Sequence, residues 1–186
     1  MTSISAAAFR ASLTRDLPHV LDPSVPMVPS SSTDQGETVQ PRPKAKKEQT
    51  PVNLLATNDT VVRSAYIADV AHYIHDTLGY HLLSNITAVD YLAEHVIELV
   101  YHFVHLAGGP PLVVKTRLPR AQPVVPSLAP FWPGASLQER EAYDLYGVDF
   151  AGHPDLRRVY MWDEFEGFPM RKDFPKQGDK YFASGE

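Results

Sequence analysis

The sequence predicts an α+β fold: a mixed or antiparallel sheet packed on helices, followed by an irregular, extended C-terminal segment. Three observations carry that prediction. One stretch repeats apolar residues every three or four positions, the period of a helix packed on one side. Three apolar, β-branched runs follow it, two of them joined by Gly108, Gly109, Pro110 and Pro111, which force a turn. From residue 151 onward, Gly152, Pro154, Gly167, Pro169 and Pro175 break every run before it becomes regular.

In chain order, residues 6–17 are expected to form a short helix, because Phe9, Leu13 and Leu17 fall at i, i+4 and i+8. Residues 1–21 therefore belong with the domain. Over residues 22–50 the composition turns to Pro, Ser, Gln, Glu and Lys, with too little apolar surface to offset the entropy of ordering. A disordered linker or insertion is expected there, its PRPKAKK run a solvated basic stretch. The α+β domain is expected over residues 51–150. It opens with PVNLLATNDTVV, read as strand with a turn at Asn58 and Asp59. In SAYIADVAHYIHDTLGY, Tyr66, Ile67, Val70, Ala71 and Ile74 make a helical stripe, and Gly79 supplies the left-handed stop.

Strands are expected over residues 81–89, 96–105 and 112–118, the last two as an antiparallel hairpin. Because both parities of HVIELVYHFVHL are largely apolar, its strand is expected to be covered on both faces. Ser136-Leu-Gln-Glu139 matches a capping box, and a helix should run over residues 137–145 to end at Gly147. Residues 151–186 are expected to lie extended across something else as a docking segment.

Composition narrows the function. A chain of 186 residues, 44% of them hydrophobic, suits one domain with a tail. Its net charge of -5 argues against wholesale binding to nucleic acid or an anionic membrane. With no cysteine it can form no disulfide, thiolate nucleophile or cysteine-held cluster. The apolar run near residues 96–106 is interrupted by Glu98, His102 and His105, too short for a membrane helix. Arg10 and Arg15 stand where a secretion signal would need apolar residues, so export is not expected.

The densest chemistry lies in EREAYDLYGVDFAGHPDLRR, residues 139–158. On a helix, Glu141 and Asp144 are i, i+3 neighbours and Arg140 and Asp144 are i, i+4 neighbours. One reading is a free-standing acid/base hydrolase using Glu141, Asp144 and His153. Against it, glycosidase-type carboxyls stand about 5–9.5 Å apart across a cleft, and adjacent turns of one helix leave no such cleft. His72 and His75 could chelate from one helix with Asp76 nearby, whereas His102 and His105 point to opposite faces of a strand. His153, between Gly152 and Pro154, reads as a cap for backbone carbonyls. There is no GxGxxG, P-loop or nucleophile elbow. Arginines among aromatics, Arg157, Arg158, Tyr160, Trp162, Phe165, Phe168 and Arg171, are instead the composition of an interface.

EREAYDLYGVDFAGHPDLRRV followed by GFPMRKDFP closely resembles the signature of the 30 kDa subunit family of type I NADH:quinone oxidoreductase, respiratory complex I. NITAVDY, ELVYHFVHL, VKTRLPR and VPSLAPFWPGAS come in the family's order, so the resemblance spans about residues 52–175. It implies a subunit of a proton-translocating enzyme that is itself non-catalytic and cofactor-free. FMN and the iron–sulfur clusters would lie in partner subunits of the hydrophilic arm. It implies contact chiefly with the large quinone-site subunit, and membrane contact only through the complex. The expected location is the cytoplasmic side of the cell membrane, or the matrix side if mitochondrial.

The motif residues carried over are Glu139, Arg140, Glu141, Asp144, Gly147, Gly152, His153, Pro154, Arg157, Arg158, Arg171, Lys172, Asp173 and Pro175, none of them catalytic. Phe168 departs from the family, many of whose members have histidine there. Residues 22–50 look longer than the family's usual passage. Ferredoxin-dependent complexes and membrane-bound hydrogenases share the fold and stand as alternatives, although the GHPDLRR and RKDFP stretches look more like the respiratory form. An interaction module unrelated to respiration is a third reading.

Overall fold

The computed structural model describes residues 4–24, 57 and 59–175. Met1–Asp22 and Asp59–Glu186 make one compact unit and Pro23–Asn58 a second; every helix and strand below lies in the first. The expected linker over residues 22–50, its PRPKAKK run, and most of the strand expected before residue 60 lie outside the described residues.

Helix α1 (Ala6–Asp16) begins where extended Ser5 accepts the Ala8 N–H on its hydroxyl at 3.2 Å, satisfying one of the helix's first donors. It buries Phe9 and Leu13 and stops at Leu17. The chain then runs beside β1 (Thr60–Val62), with Leu21 bridging Val62.

The helix predicted next is one helical run whose hydrogen-bond step widens along it. A 3₁₀ turn (Ser64–Tyr66) leads into α2 (Ile67–His72), and a π turn (Tyr73–Thr77) closes it. The apolar stripe survives that change, for Ile67, Val70, Ala71 and Ile74 are all fully buried.

Strands β2 (Leu82–Tyr91), β3 (Val96–Val104) and β4 (Leu112–Pro119) form an antiparallel meander, with a bulge between Leu83 and Asn85. β1 adds to β4 in parallel, giving a mixed sheet of order β1-β4-β3-β2. Ile97, Leu99, Tyr101 and Phe103 of β3 face the core with Ile86, Ala88, Val114 and Leu118 of the neighbouring strands. Residues of all three helices join the same cluster.

The opposite face departs from expectation. Val100, His102 and Val104 there are only half-buried. The fully buried residue is Glu98, 2% exposed, paired with Arg117 Nε at 2.9 Å and Lys115 Nζ at 3.7 Å. An acid at the centre of the strand brings in cations rather than apolar cover.

Two further elements have no counterpart among the expected ones: β5 (Val124–Pro126) and β6 (Asp149–Ala151), which pair in parallel as a separate small sheet on either side of α3 (Ala135–Tyr146) in the chain. α3 packs on β2 and ends at Gly147, whose φ of +72° makes the left-handed exit. After Ala151 the described residues contain no helix or strand.

Candidate functional site

Helix α3 carries two fully buried acids, and both take their partners from outside the helix. The capping box does not form. α3 starts two residues before Leu137, at Ala135, because the carbonyls of Trp132 and Pro133 accept the N–H groups of Ala135 and Ser136 at 2.8 and 3.2 Å. With those donors met, Glu139 turns inward. Its carboxyl accepts the Ser127 hydroxyl at 2.5 Å and the Leu128 N–H at 2.7 Å. Burial pushes its pKa up to about 7, and the hydrogen bonds from Ser127, Leu128 and Ala129 offset that only in part. Ser136, the other half of the expected box, meets His153 instead. Asp155 N–H donates to His153 Nδ1 at 3.0 Å, so Nε2 carries the proton and faces the Ser136 carbonyl at 3.2 Å and hydroxyl at 3.1 Å. His153 thus ties the Gly152-His153-Pro154 turn to the first turn of α3, rather than capping carbonyls within its own turn.

Asp144 is the hub of the C-terminal segment. It is fully buried, and Oδ2 accepts the successive N–H groups of Val159, Tyr160 and Met161 at 2.9, 2.7 and 2.9 Å. Oδ1 accepts from Arg158 Nη1 at 2.7 Å. Burial alone would raise this carboxyl, but the three amides and the guanidinium outweigh it and hold the pKa below the usual carboxylate value. Arg140 and Asp144, i, i+4 neighbours on α3, do not pair. Arg140 reaches instead to the carbonyls of Arg157 and Arg158, at 3.1 and 3.2 Å, because Asp144 is already filled. Arg158 also donates to the Gly167 carbonyl at 3.2 Å, and Phe168 lies 5.8 Å from its guanidinium. Phe168 occupies the space over Gly147: a Cβ there would stand 2.5 Å from the ring. The Arg157 side chain makes, among the described residues, only a surface pair with Asp155, at 2.8 Å, both side chains more than half exposed.

A second anchor lies farther along. Asp90, 3% exposed, accepts Arg120 Nε at 2.7 Å and the Lys172 N–H at 2.8 Å. Arg120 also reaches Asp173, Nη1 to Oδ2 at 3.0 Å. Burial raises the Asp90 carboxyl, and Arg120 with the Lys172 amide brings it below its ordinary value. Neither Asp90 nor Arg120 was among the motif residues. A signal existed: Ile86, Ala88 and Asp90 alternate along one strand, so Asp90 falls at an inward position where a carboxylate requires a cation. Arg171 donates from Nε to the Tyr146 carbonyl at 2.7 Å and stacks 4.7 Å from Phe168. Between the anchors, Tyr160, Trp162 and Met170 are 60, 62 and 53% exposed. Pro175 closes the described segment beside Trp162 and Phe174.

The acid/base trio is therefore divided among three tasks. Asp144 is closed off by four donors, His153 is spent on Ser136, and exposed Glu141 has, among the described residues, only the Tyr160 hydroxyl at 3.4 Å. The i, i+3 spacing brings Glu141 and Asp144 to no common cleft. His72 and His75 both approach Asp76, at 3.9 and 2.6 Å, but the described residues hold no group of three or more side chains able to ligate a metal. His105 packs edge-on against Tyr80 at 5.3 Å, while His102 lies on the opposite face of β3.

The segment so anchored falls inside a family match. Residues 60–180 match the profile described as respiratory-chain NADH dehydrogenase, 30 Kd subunit. The chain is 50% identical over 99 residues to the NADH-quinone oxidoreductase C subunit of Moorella thermoacetica, covering 53% of this chain and 67% of that one. It is 44% identical over 117 residues to the corresponding protein of Roseiflexus castenholzii, covering 61% and 67%. Among solved structures, it resembles a chain of the membrane-bound sulfane sulfur reductase, an archaeal respiratory membrane complex. That match has a TM-score of 0.58 and 32% identity, and covers 63% of this chain and 71% of that one. With α3, both anchors and the segment between them inside the matched span, the chain belongs to the 30 kDa subunit family of respiratory-chain NADH dehydrogenase.

Proposed function

We propose that this chain is the cofactor-free 30 kDa subunit of a proton-translocating NADH:quinone oxidoreductase, and that it assembles and holds the hydrophilic-arm subunits. Electrons would pass from NADH through FMN and iron–sulfur clusters in those partners to quinone. The carrying observation is the segment from residue 152 to residue 175, pinned at Asp144 and at Asp90–Arg120, with large aromatic and thioether side chains turned outward between the pins. Pinning a chain before it binds lowers the entropy lost on docking, and exposed Trp, Tyr and Met beside Arg is interface composition.

The chief partner in this reading is the large quinone-site subunit, on the cytoplasmic side of the membrane. No helix among the described residues is long and apolar enough to cross a membrane, so membrane contact would run through other subunits. Affinity purification from native membranes under gentle detergent should recover the quinone-site subunit together with flavin and iron–sulfur absorbance. Recovery of the chain alone would overturn the reading. The likeness to the sulfane sulfur reductase complex favours one second reading, the equivalent place in a related membrane complex. A partner set without an NADH-oxidising flavoprotein would select it.

A further inference from the structure

The second anchor leaves positive charge unmet beside a groove. Trp162, Phe165, Pro169 and Phe174 wall a depression of about 570 Å³ that Arg171 and Lys172 also line. Three cations, Arg120, Arg171 and Lys172, share two carboxylates there, and Arg120 engages both Asp90 and Asp173. Arg171 donates a hydrogen bond through Nε alone while stacking on Phe168, and neither of its Nη groups has a hydrogen-bond partner among the described residues. The Lys172 ammonium stands 5.9 Å from the Tyr91 ring centroid, with no carboxylate in ion-pair reach among those residues. Burial and the like charge of Arg120 lower the pKa of Arg171, and Asp90 with Asp173 offset that only in part. A guanidinium held by one edge, with two further donor groups unpartnered among the described residues, matches the planar fork of a carboxylate.

The charges nearby narrow the occupant. Asp163, Glu164 and Glu166 are all exposed in the loop between the anchors. They would repel a phosphate-rich surface such as nucleic acid or anionic lipid, yet leave room for a single acid flanked by apolar side chains.

We propose that this groove receives an apolar segment of a partner subunit bearing one aspartate or glutamate, whose carboxylate bridges the Nη groups of Arg171 with Lys172 alongside. The proposal rests on the docking role argued above and adds the chemistry of the partner. The test uses the complex purified from native membranes. A carbodiimide, which joins amines to adjacent carboxylates without a spacer, is applied, and Lys172 peptides are sequenced by mass spectrometry. The expected product joins Lys172 to an acid of another subunit and disappears in Lys172→Arg, which keeps the charge. In Arg171→Met, recovery of the partner falls by more than roughly tenfold, and reversing the identified acid together with Arg171 restores it. Linkage of Lys172 to Asp179 or Glu186 of its own chain, to Asp90 or Asp173 alone, or to nothing in an otherwise intact complex overturns the proposal while the subunit reading stands. If the unaltered chain recovers no partner, both fall together.

Discussion

The sheet domain and the C-terminal segment reach order by opposite means. In the domain, side chains such as Tyr101, Phe103 and Ile97 vanish into one apolar cluster, and the strands supply the backbone partners. In the segment, the backbone groups of residues 157–161 and 172 bond to side chains of the domain, Arg140, Asp144 and Asp90, while its largest side chains stay exposed. Burial stabilises in proportion to area and needs no particular partner. A charged hub stabilises only while every donor is in place. The segment should therefore come loose as a unit, at a few named atoms, without the domain unfolding. The two tryptophans report the regions separately: Trp132, 6% exposed, in the domain, and Trp162 in the segment.

Phe103→Ala should have the largest effect, a loss of about 4 kcal/mol from an emptied core position. It should lower the urea midpoint of both tryptophan signals together, because the segment has nothing to hold it once the domain unfolds; a shift of the Trp162 signal alone would mean that Phe103 does not support the domain core. Asp144→Asn comes next. It leaves Arg158 without its counter-charge and should weaken the hub by about 3 kcal/mol. Protease should cut between residues 152 and 170 much faster, with the Trp132 midpoint moving less than the Trp162 midpoint. Equal shifts would mean the segment is part of the core.

Acid and base should separate the regions in opposite senses. Glu139 has its carboxyl raised from 4.5 to about 7 in the folded state, so the folded domain holds that proton more tightly than the unfolded chain. Its contribution is fully present below pH 4.5 and is lost as pH rises to about 7, by up to about 3 kcal/mol. Asp144 and Asp90 are lowered, so the stability they give the segment is present above the ordinary aspartate value and lost as pH falls through their folded values. Acidification should thus release the Trp162 signal first, and Glu139→Gln should flatten the loss of the Trp132 midpoint toward neutral pH. A pH profile common to both signals would refute the division. The smallest effect is expected from Asp173→Asn, which removes the half-exposed partner of Arg120 while buried Asp90 still holds it, and should raise cleavage near residue 173 while leaving the Asp144 hub intact.

What could be read from the sequence follows the same divide. Elements that repeat a period were visible: α1, the run through α2, strands β2 to β4, and α3 with its glycine stop. β5 and β6 were not, because three residues are too few to show alternation, and their pairing joins residues separated by the whole of α3. Nor was the parallel pairing of β1 with β4 readable from local pattern. In the site, the motif residues Asp144, Arg158, Lys172 and Asp173 do meet at the anchors, but the sequence did not show what each would pair with. Spacing along a helix suggested neighbours within α3, whereas Glu139 and Asp144 are turned to loops 12 residues before and 14 residues after them. Burial decides this, since an acid inside the protein takes whichever donors its surroundings can desolvate with it. The misplaced capping box has the same origin: two loop carbonyls met the helix's first donors and left Glu139 free to turn in.

The Asp144 hub also bears on how the chain is made. Synthesis runs from the N-terminus, at about 5–20 residues per second, so α3 is complete before Arg158 and the amides of Val159 to Met161 exist. Until those residues arrive, seating the helix on the sheet would dehydrate a carboxylate with nothing to receive it. The last quarter of the helix is thus withheld from its place by its own acid, and the arriving segment releases it. A nascent chain stalled short of residue 158 is an unfinished domain, even though every strand of the sheet has already been translated.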